Sequence, residues 1–315
     1  MPAAALGRER VIVDGAPQLR ARPFAPLLDA LAALGAHVEP LADAGHLPVA
    51  VHGPIAGGRV HLPGHISSQF LSGLLMAAPL MERGLEVELD SPLVSVPYVD
   101  MTLAVMAAFG VAGERLAVAP GAYRAAEVEI EPDASAAAYF FAAAAIGGGR
   151  VTVEGLGSDS IQGDVAFVDV LERMGARVQR EAGAITVEGT GSLRGVEVDM
   201  ADISDTAQTL AAVAVFAQGL TRVRGVGFIR GKESDRIGDL VVELARAGIE
   251  ASAQEDGFTI VGGEPRPTRF RTYDDHRMAM SLALLGLRAG GIEIEDPGCV
   301  AKTYPGFFDD LARLR

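Results

Sequence analysis

The chain has 315 residues, 49% of them hydrophobic and 22% charged, so it can bury more than one hydrophobic core, and two domains are expected. A formal net charge of −14 argues against nucleic acid or an anionic membrane as partner, and a single cysteine, Cys299, excludes an internal disulfide and a thiolate metal cluster. The longest apolar run, Ala134 to Ile146, is about half of the ~20 residues a membrane-crossing helix needs, and no secretory leader opens the sequence; a soluble, cytoplasmic protein is expected.

In chain order, four segments read as an amphipathic helix, a turn glycine and an alternating strand: LLDALAALGAHVE (27–39), LAVMAAFGVAGERL (103–116), VDVLERMGARVQR (168–180) and VVELARAGIEA (241–251). Their glycines, Gly35, Gly110, Gly175 and Gly248, recur at intervals of 75, 65 and 73 residues. A second kind of helix runs out of phase with these, each opening on a small polar or acidic residue and continuing as an Ala/Leu/Met-rich run. It starts at Ser67, Asp133, Asp205 and Asp275, at intervals of 66, 72 and 70 residues. Ser and Asp are preferred N-caps, and an apolar run on all sides marks a buried helix.

Short strands such as VTVEG, VEVDM, TRVRGV, FTIVG and IEIED separate the helices. The pattern predicts an α/β fold built from repeated units, with helices inside and sheets around them, divided near Glu131–Pro132 into domains 1–130 and 131–315. An ordinary α/β protein with regularly spaced helices is the plainer alternative. If the buried helices are parallel, their N-termini gather partial positive charge at one end, where an acidic protein can still bind anions.

Several short motifs carry candidate chemistry. Pro63–Phe70 places Ser67, Ser68 and Gln69 at a helix N-terminus, an uncharged phosphate-binding arrangement or a plain N-cap with a spare serine. Gly231–Arg236 (GKESDR) puts Lys232, Glu233 and Arg236 ahead of an amphipathic helix for which Ser234 can serve as N-cap; a solvated helix start is the alternative. In Tyr273–Met280, Arg277 opens an apolar helix and must be paired or face a cleft, where its planar fork suits carboxylate or phosphate; a salt bridge to a neighbouring Asp is the alternative. His276 has no second histidine at ligand spacing, so a structural hydrogen bond is expected of it and no metal is proposed. Asp205 reads as an N-cap or an acid–base group. Arg22 and Lys302 are by themselves unremarkable surface charges.

Taken together, LRARP, SSQFLSGLLMAAP, LVSVPYVDMT, DASAAAYFFAAAAI, QGD, GKESDR, DDHRMAM and CVAKTYP, in this order, resemble the 5-enolpyruvylshikimate-3-phosphate (EPSP) synthase family over nearly the whole chain. The resemblance implies a two-domain, inside-out α/β fold of the enolpyruvyl transferase type, built from βαβαββ units with buried parallel helices, whose substrates bind in a cleft as the domains close. It implies transfer of enolpyruvyl from phosphoenolpyruvate to the 5-hydroxyl of shikimate-3-phosphate, releasing phosphate, in aromatic amino acid biosynthesis, with no cofactor. Ser67, Ser68, Gln69, Ser95, Tyr98, Asp205 and Lys232 resemble the shikimate-3-phosphate contacts. Arg22, Gln69, Arg236, Arg277 and Lys302 resemble the phosphoenolpyruvate contacts. Asp205 resembles the group that takes the hydroxyl proton, and Glu233 is the choice for supplying or relaying the proton to C3.

The family's N-terminal strand, Lys-Ser motif and Asn-Ala-Gly-Thr loop have no counterpart here, which leaves an expected one and a half repeat units in the first domain and three in the second. Phe228 stands where many members carry a polar residue touching shikimate-3-phosphate, so that contact is expected to be lost. Two alternatives follow. One is a catalytically incomplete chain that binds shikimate-3-phosphate or complements a separate N-terminal piece. The other is the related transferase acting on UDP-N-acetylglucosamine, disfavoured because Cys299 lies far from that enzyme's reactive-cysteine loop.

Overall fold

The structure, a computed structural model, describes residues 1–314, and the chain divides into two units, Met1–Glu129 and Ile130 onward. Each unit has its own hydrophobic core.

The first unit carries α1 (Pro17–Arg20), α2 (Ala25–Ala33), α3 (Ser68–Ala77) and α4 (Val96–Ala108). One antiparallel sheet has Val49–His52 between Val11–Val13 and His37–Pro40. In a second, Gly58–Leu62 pairs in parallel with Leu85–Leu89, which pairs antiparallel with Ala117–Val118. Ser67 caps α3 as the sequence predicts: its backbone is extended and its Oγ accepts the Gln69 amide at 3.3 Å. The alternating strand expected directly after Gly110 does not form. Glu114 and Ala117 instead bridge in a tight turn, and a side chain on Gly113 would press on Val118 at 2.7 Å.

The second unit carries α5 (Ala134–Gly147), α6 (Phe167–Met174), α7 (Ala207–Val215), α8 (Gly238–Arg246), α9 (His276–Ala283) and α10 (Phe307–Ala312). Helices α5, α7 and α9 pack together, α5 on α7 and α7 on α9. Every residue of α7 is buried and nearly every residue of α5, as their all-round apolar sequences require. The amphipathic α6 and α8 bury one face each and run through the predicted turn glycines Gly175 and Gly248 into the strands Arg177–Glu181 and Ala251–Gln254. The main sheets are Arg150–Glu154, Ala184–Glu188 and Arg177–Glu181, and a four-stranded sheet in the order Glu197–Asp199, Leu220–Arg224, Gly257–Val261, Ala251–Gln254. The architecture is the inside-out α/β arrangement that the repeat implies.

Asp133 and Asp275 cap α5 and α9, accepting first-turn amides at 2.8–3.0 Å. Asp205 does not cap α7. A 3-10 turn, Ala201–Thr206, precedes that helix, the cap position falls on Thr206, and the Asp205 carboxylate is drawn to two guanidinium groups instead. Ser234 does not cap α8 either. Asp235 accepts the amides of Ile237 and Gly238, while the Ser234 hydroxyl donates to Asp275 at 3.0 Å.

Candidate active site

In the second unit the first turns of α5 and α9 and the 3-10 turn leading into α7 meet around one charge cluster. Arg277, from the start of α9, donates to the Asp205 carboxylate at 2.7 Å, to the Asp205 carbonyl at 3.2 Å and to the Ser135 hydroxyl of α5 at 3.4 Å. The buried helix ends sequence periodicity only suggested are therefore brought to one place, with their partial positive charge. Arg236, 2% exposed, reaches Asp275 through Nε at 2.8 Å, Glu233 at 2.7 Å and Asp205 at 3.3 Å. Lys302 bonds the other oxygen of Glu233. Lys232 completes the set: its ammonium lies 6.0 Å from the centre of the Phe228 ring and acts electrostatically on Asp205. Phe228, where a substrate contact was expected to be lost, thus offers Lys232 a cation–π support.

Four cations face three carboxylates here, so the cluster keeps an excess positive charge. A guanidinium as buried as Arg236 is tolerable only because three carboxylates satisfy it; a lone one would cost several kcal/mol. Burial pulls the Arg236 pKa down, but Asp275 and then Asp205 more than offset this and hold it above its ordinary value. For Asp205, burial pushes the carboxyl up, yet Arg277, Arg236 and Lys232 outweigh it and hold the group below the usual carboxylate range. Asp205 is therefore ionised at neutral pH. His276 is driven the other way, down to about 4, by burial and then by Arg277, so the ring is neutral. Its Nδ1 lies 3.6 Å from Asp275, too far for the structural hydrogen bond expected of it, and that nitrogen is left without a partner.

In the first unit, the loop 63–67 is laid against the loop that leads into α4. A side chain on Gly64 would lie 2.5 Å from the Ser91 carbonyl oxygen and 2.7 Å from that of Pro92, so only glycine permits this approach. The Ser91 hydroxyl accepts the Gly64 and His65 amides, and the Val94 amide bonds the Gly64 carbonyl. The starts of α3 and α4 are thereby held together, with Ser67, Ser68 and Gln69 on one and Ser95 and Tyr98 on the other. Ser95 is buried and left-handed (φ 54, ψ 47), an uncommon state for a non-glycine and one that gathers at functional sites. Arg22 lies two residues before Phe24, whose ring sits 6.0 Å from Phe70, next to Gln69.

The EPSP synthase (3-phosphoshikimate 1-carboxyvinyltransferase) family matches residues 1–311. The chain belongs to the EPSP synthase family. A 3-phosphoshikimate 1-carboxyvinyltransferase of Methanoculleus marisnigri is 44% identical, covering 98% of this chain and 75% of that protein. One from Photorhabdus laumondii is 42% identical, covering 99% and 74%. EPSP synthase from Acinetobacter baumannii superposes with a TM-score of 0.79 at 28% identity, over 99% of this chain and 75% of that one. The enolpyruvyl transferase NikO from Streptomyces tendae shares the fold, with a TM-score of 0.75 at 21% identity. Among the described residues no helix is long and apolar enough to cross a membrane.

Against the EPSP synthase pattern, motif reading missed two participants. Asp275, expected as a cap or as a local partner of Arg277, also grips the distant Arg236 and Ser234. Ser135, hidden in an Ala-rich helix, touches Arg277.

Proposed function

We propose that this chain carries out the family's enolpyruvyl transfer, from phosphoenolpyruvate to the 5-hydroxyl of shikimate-3-phosphate, with Arg236, Arg277 and Lys302 holding the carboxylate and phosphate of phosphoenolpyruvate. The observation that carries this reading is the excess of positive charge where three buried helix N-termini meet. Arg22 and Gln69 supply further phosphoenolpyruvate contacts, and Ser67, Ser68, Gln69, Ser95, Tyr98, Asp205 and Lys232 the shikimate-3-phosphate contacts. A single cysteine whose thiol burial pushes up to about 11 suits a reducing, cytoplasmic setting.

Asp205 takes the proton from the 5-hydroxyl as the hydroxyl oxygen attacks C2 of phosphoenolpyruvate, and Glu233 relays to C3 a proton from the Lys302 ammonium that bonds it. The resulting tetrahedral ketal then returns a C3 proton along the same relay and expels phosphate, which takes up the proton held by Asp205, leaving the enol ether. A carboxylate gripped by two guanidinium groups is a poor base. When phosphoenolpyruvate arrives, its anionic groups take over Arg277 and Arg236, and Asp205 regains basicity as the acceptor hydroxyl comes within reach. Arg and Lys offset the charge on the intermediate.

The UDP-N-acetylglucosamine alternative is not favoured, because relatives matching 98–99% of this chain carry the shikimate-pathway name; the chain spans 74–75% of their length, and the catalytically incomplete alternative is decided by the assay. Phosphate release from phosphoenolpyruvate, measured with the purified protein, should require shikimate-3-phosphate. Release supported equally by a nucleotide sugar, or none with either acceptor, refutes the reading.

A further inference from the structure

Among the described residues only three non-glycines have positive φ, and two of them, Tyr273 and Asp274 (φ 55 each), stand in succession directly before Asp275. The left-handed region is costly for an aromatic residue, on the order of 1–2 kcal/mol, and such a pair persists only where surroundings enforce it. Glu243 enforces it. This carboxylate is fully buried although it sits on the outer helix α8, and it touches neither Arg236 nor Arg277. It accepts the Tyr273 hydroxyl at 2.9 Å and the Arg271 amide at 3.0 Å, and it pairs with Arg246. Burial, and then the bond to Glu243, push the Tyr273 hydroxyl up to about 12, so it remains a donor across the working pH range.

The other end of the turn delivers Asp275. Its amide bonds the buried Thr272 carbonyl at 2.9 Å, and its carboxylate takes Arg236 Nε, the Ser234 hydroxyl and the Arg277 amide. We propose that Glu243 is a positioning residue for the anion-binding arginines: through Tyr273 and the left-handed pair it sets where Asp275 holds Arg236 and where α9 presents Arg277. The consequence for ligand affinity rests on the assignment of phosphoenolpyruvate to those arginines; the consequence for Arg236 does not.

Two variants, Tyr273→Phe and Glu243→Gln, test this in the full chain with two readouts. In the ligand-free protein, hydrogen exchange at Arg236 Nε, followed by NMR, should accelerate about tenfold, the loss expected when one buried hydrogen bond supporting the turn is removed. By calorimetry, phosphoenolpyruvate should bind roughly 5–30-fold more weakly while shikimate-3-phosphate affinity stays within about twofold, because both guanidinium groups serve phosphoenolpyruvate and, of the shikimate-3-phosphate contacts, only Asp205 bonds to them. Unchanged exchange at Arg236 overturns the proposal. So does a parallel loss of both affinities with the melting temperature, which would mark Glu243 as a general structural anchor. Arg277→Ala separates the two layers: if it leaves phosphoenolpyruvate affinity intact, the site assignment fails, and the exchange rate alone decides the role of Glu243.

Discussion

Replacing Asp205 by Asn removes one negative charge from between two guanidinium groups without changing shape, and the structure gives the two consequences opposite signs. Asp205 is 24% exposed and meets Arg277 at 2.7 Å and Arg236 at 3.3 Å, with those side chains 12% and 2% exposed. As the base for the 5-hydroxyl, its loss should slow turnover by about 10²–10⁴-fold, the usual worth of positioned proton transfer, or about 3–5 kcal/mol of barrier. As an internal competitor for the arginines, its loss should help phosphoenolpyruvate. A largely buried charge-assisted pair is worth about 1–2 kcal/mol net, so the ligand should bind roughly 5–30-fold more tightly. Arg236 keeps Asp275 and Glu233, which limits the structural damage. Phosphate release gives the first number and calorimetric titration with phosphoenolpyruvate the second. Turnover within threefold of the unmodified protein, or affinity falling together with rate, refutes the view that Asp205 both accepts the proton and masks the arginines.

Arg277→Lys keeps the charge but loses the planar fork, so the KM for phosphoenolpyruvate should rise about 10–100-fold with the shikimate-3-phosphate KM little changed, as steady-state kinetics will read. His276 lies below its unfolded value of about 6.5 when folded, so its neutrality stabilises fully above that pH and the benefit is lost as pH falls toward about 4. Denaturant unfolding of His276→Gln should accordingly show a shallower decline than the unmodified protein between those limits. Gly64→Ala drives a methyl group into two backbone carbonyls, should cost about 1–3 kcal/mol of stability, and should weaken shikimate-3-phosphate binding by shifting the starts of α3 and α4. Phe307→Ala empties a fully buried site packed by Tyr139, Phe140, Tyr304 and Phe308, and should lower the unfolding free energy of the second unit by about 3–5 kcal/mol in urea melts.

The helix caps show which parts of this protein are local and which are not. Ser67, Asp133 and Asp275 cap their helices as their position in sequence predicts, because a cap needs only the amides one turn ahead. Asp205 opens a run that looks the same, yet it meets Arg236 and Arg277, 31 and 72 residues away, and their pull exceeds what a cap offers. Ser234 is likewise taken from its local role by Asp275, 41 residues on. The apolar periodicity marked the buried helices for the same reason the caps were legible: burial on all sides is a property of each helix's own residues. The strand expected after Gly110 failed where a two-residue strand and a turn at Gly113 replaced a regular alternation. Glu243 was invisible, because in sequence it is one acid on the charged side of an amphipathic helix, and only the fold folds Tyr273 over it.

The net charge of −14 makes the location of the cations the decisive fact about binding. At a distance the protein repels anions, so affinity for a phosphorylated substrate must be generated inside a shielded site rather than by steering from the surface. On the proposed assignment the second unit does this by confining Arg236 and Arg277 where little water reaches and by turning helix starts toward them. Such a site cannot be left as bare positive charge in the empty protein, since unpaired buried guanidinium groups would destabilise the fold. Asp205, Glu233 and Asp275 pair with its arginines in the meantime, and they differ in what they can give up. Asp275 is fully buried and capped into α9, so its hold on Arg236 persists, whereas Asp205 is partly open and can yield its arginines to an incoming anion. On the proposed assignment, the carboxylate that yields is the one left beside the acceptor hydroxyl with its basicity restored, so anion binding and activation of the base become one event.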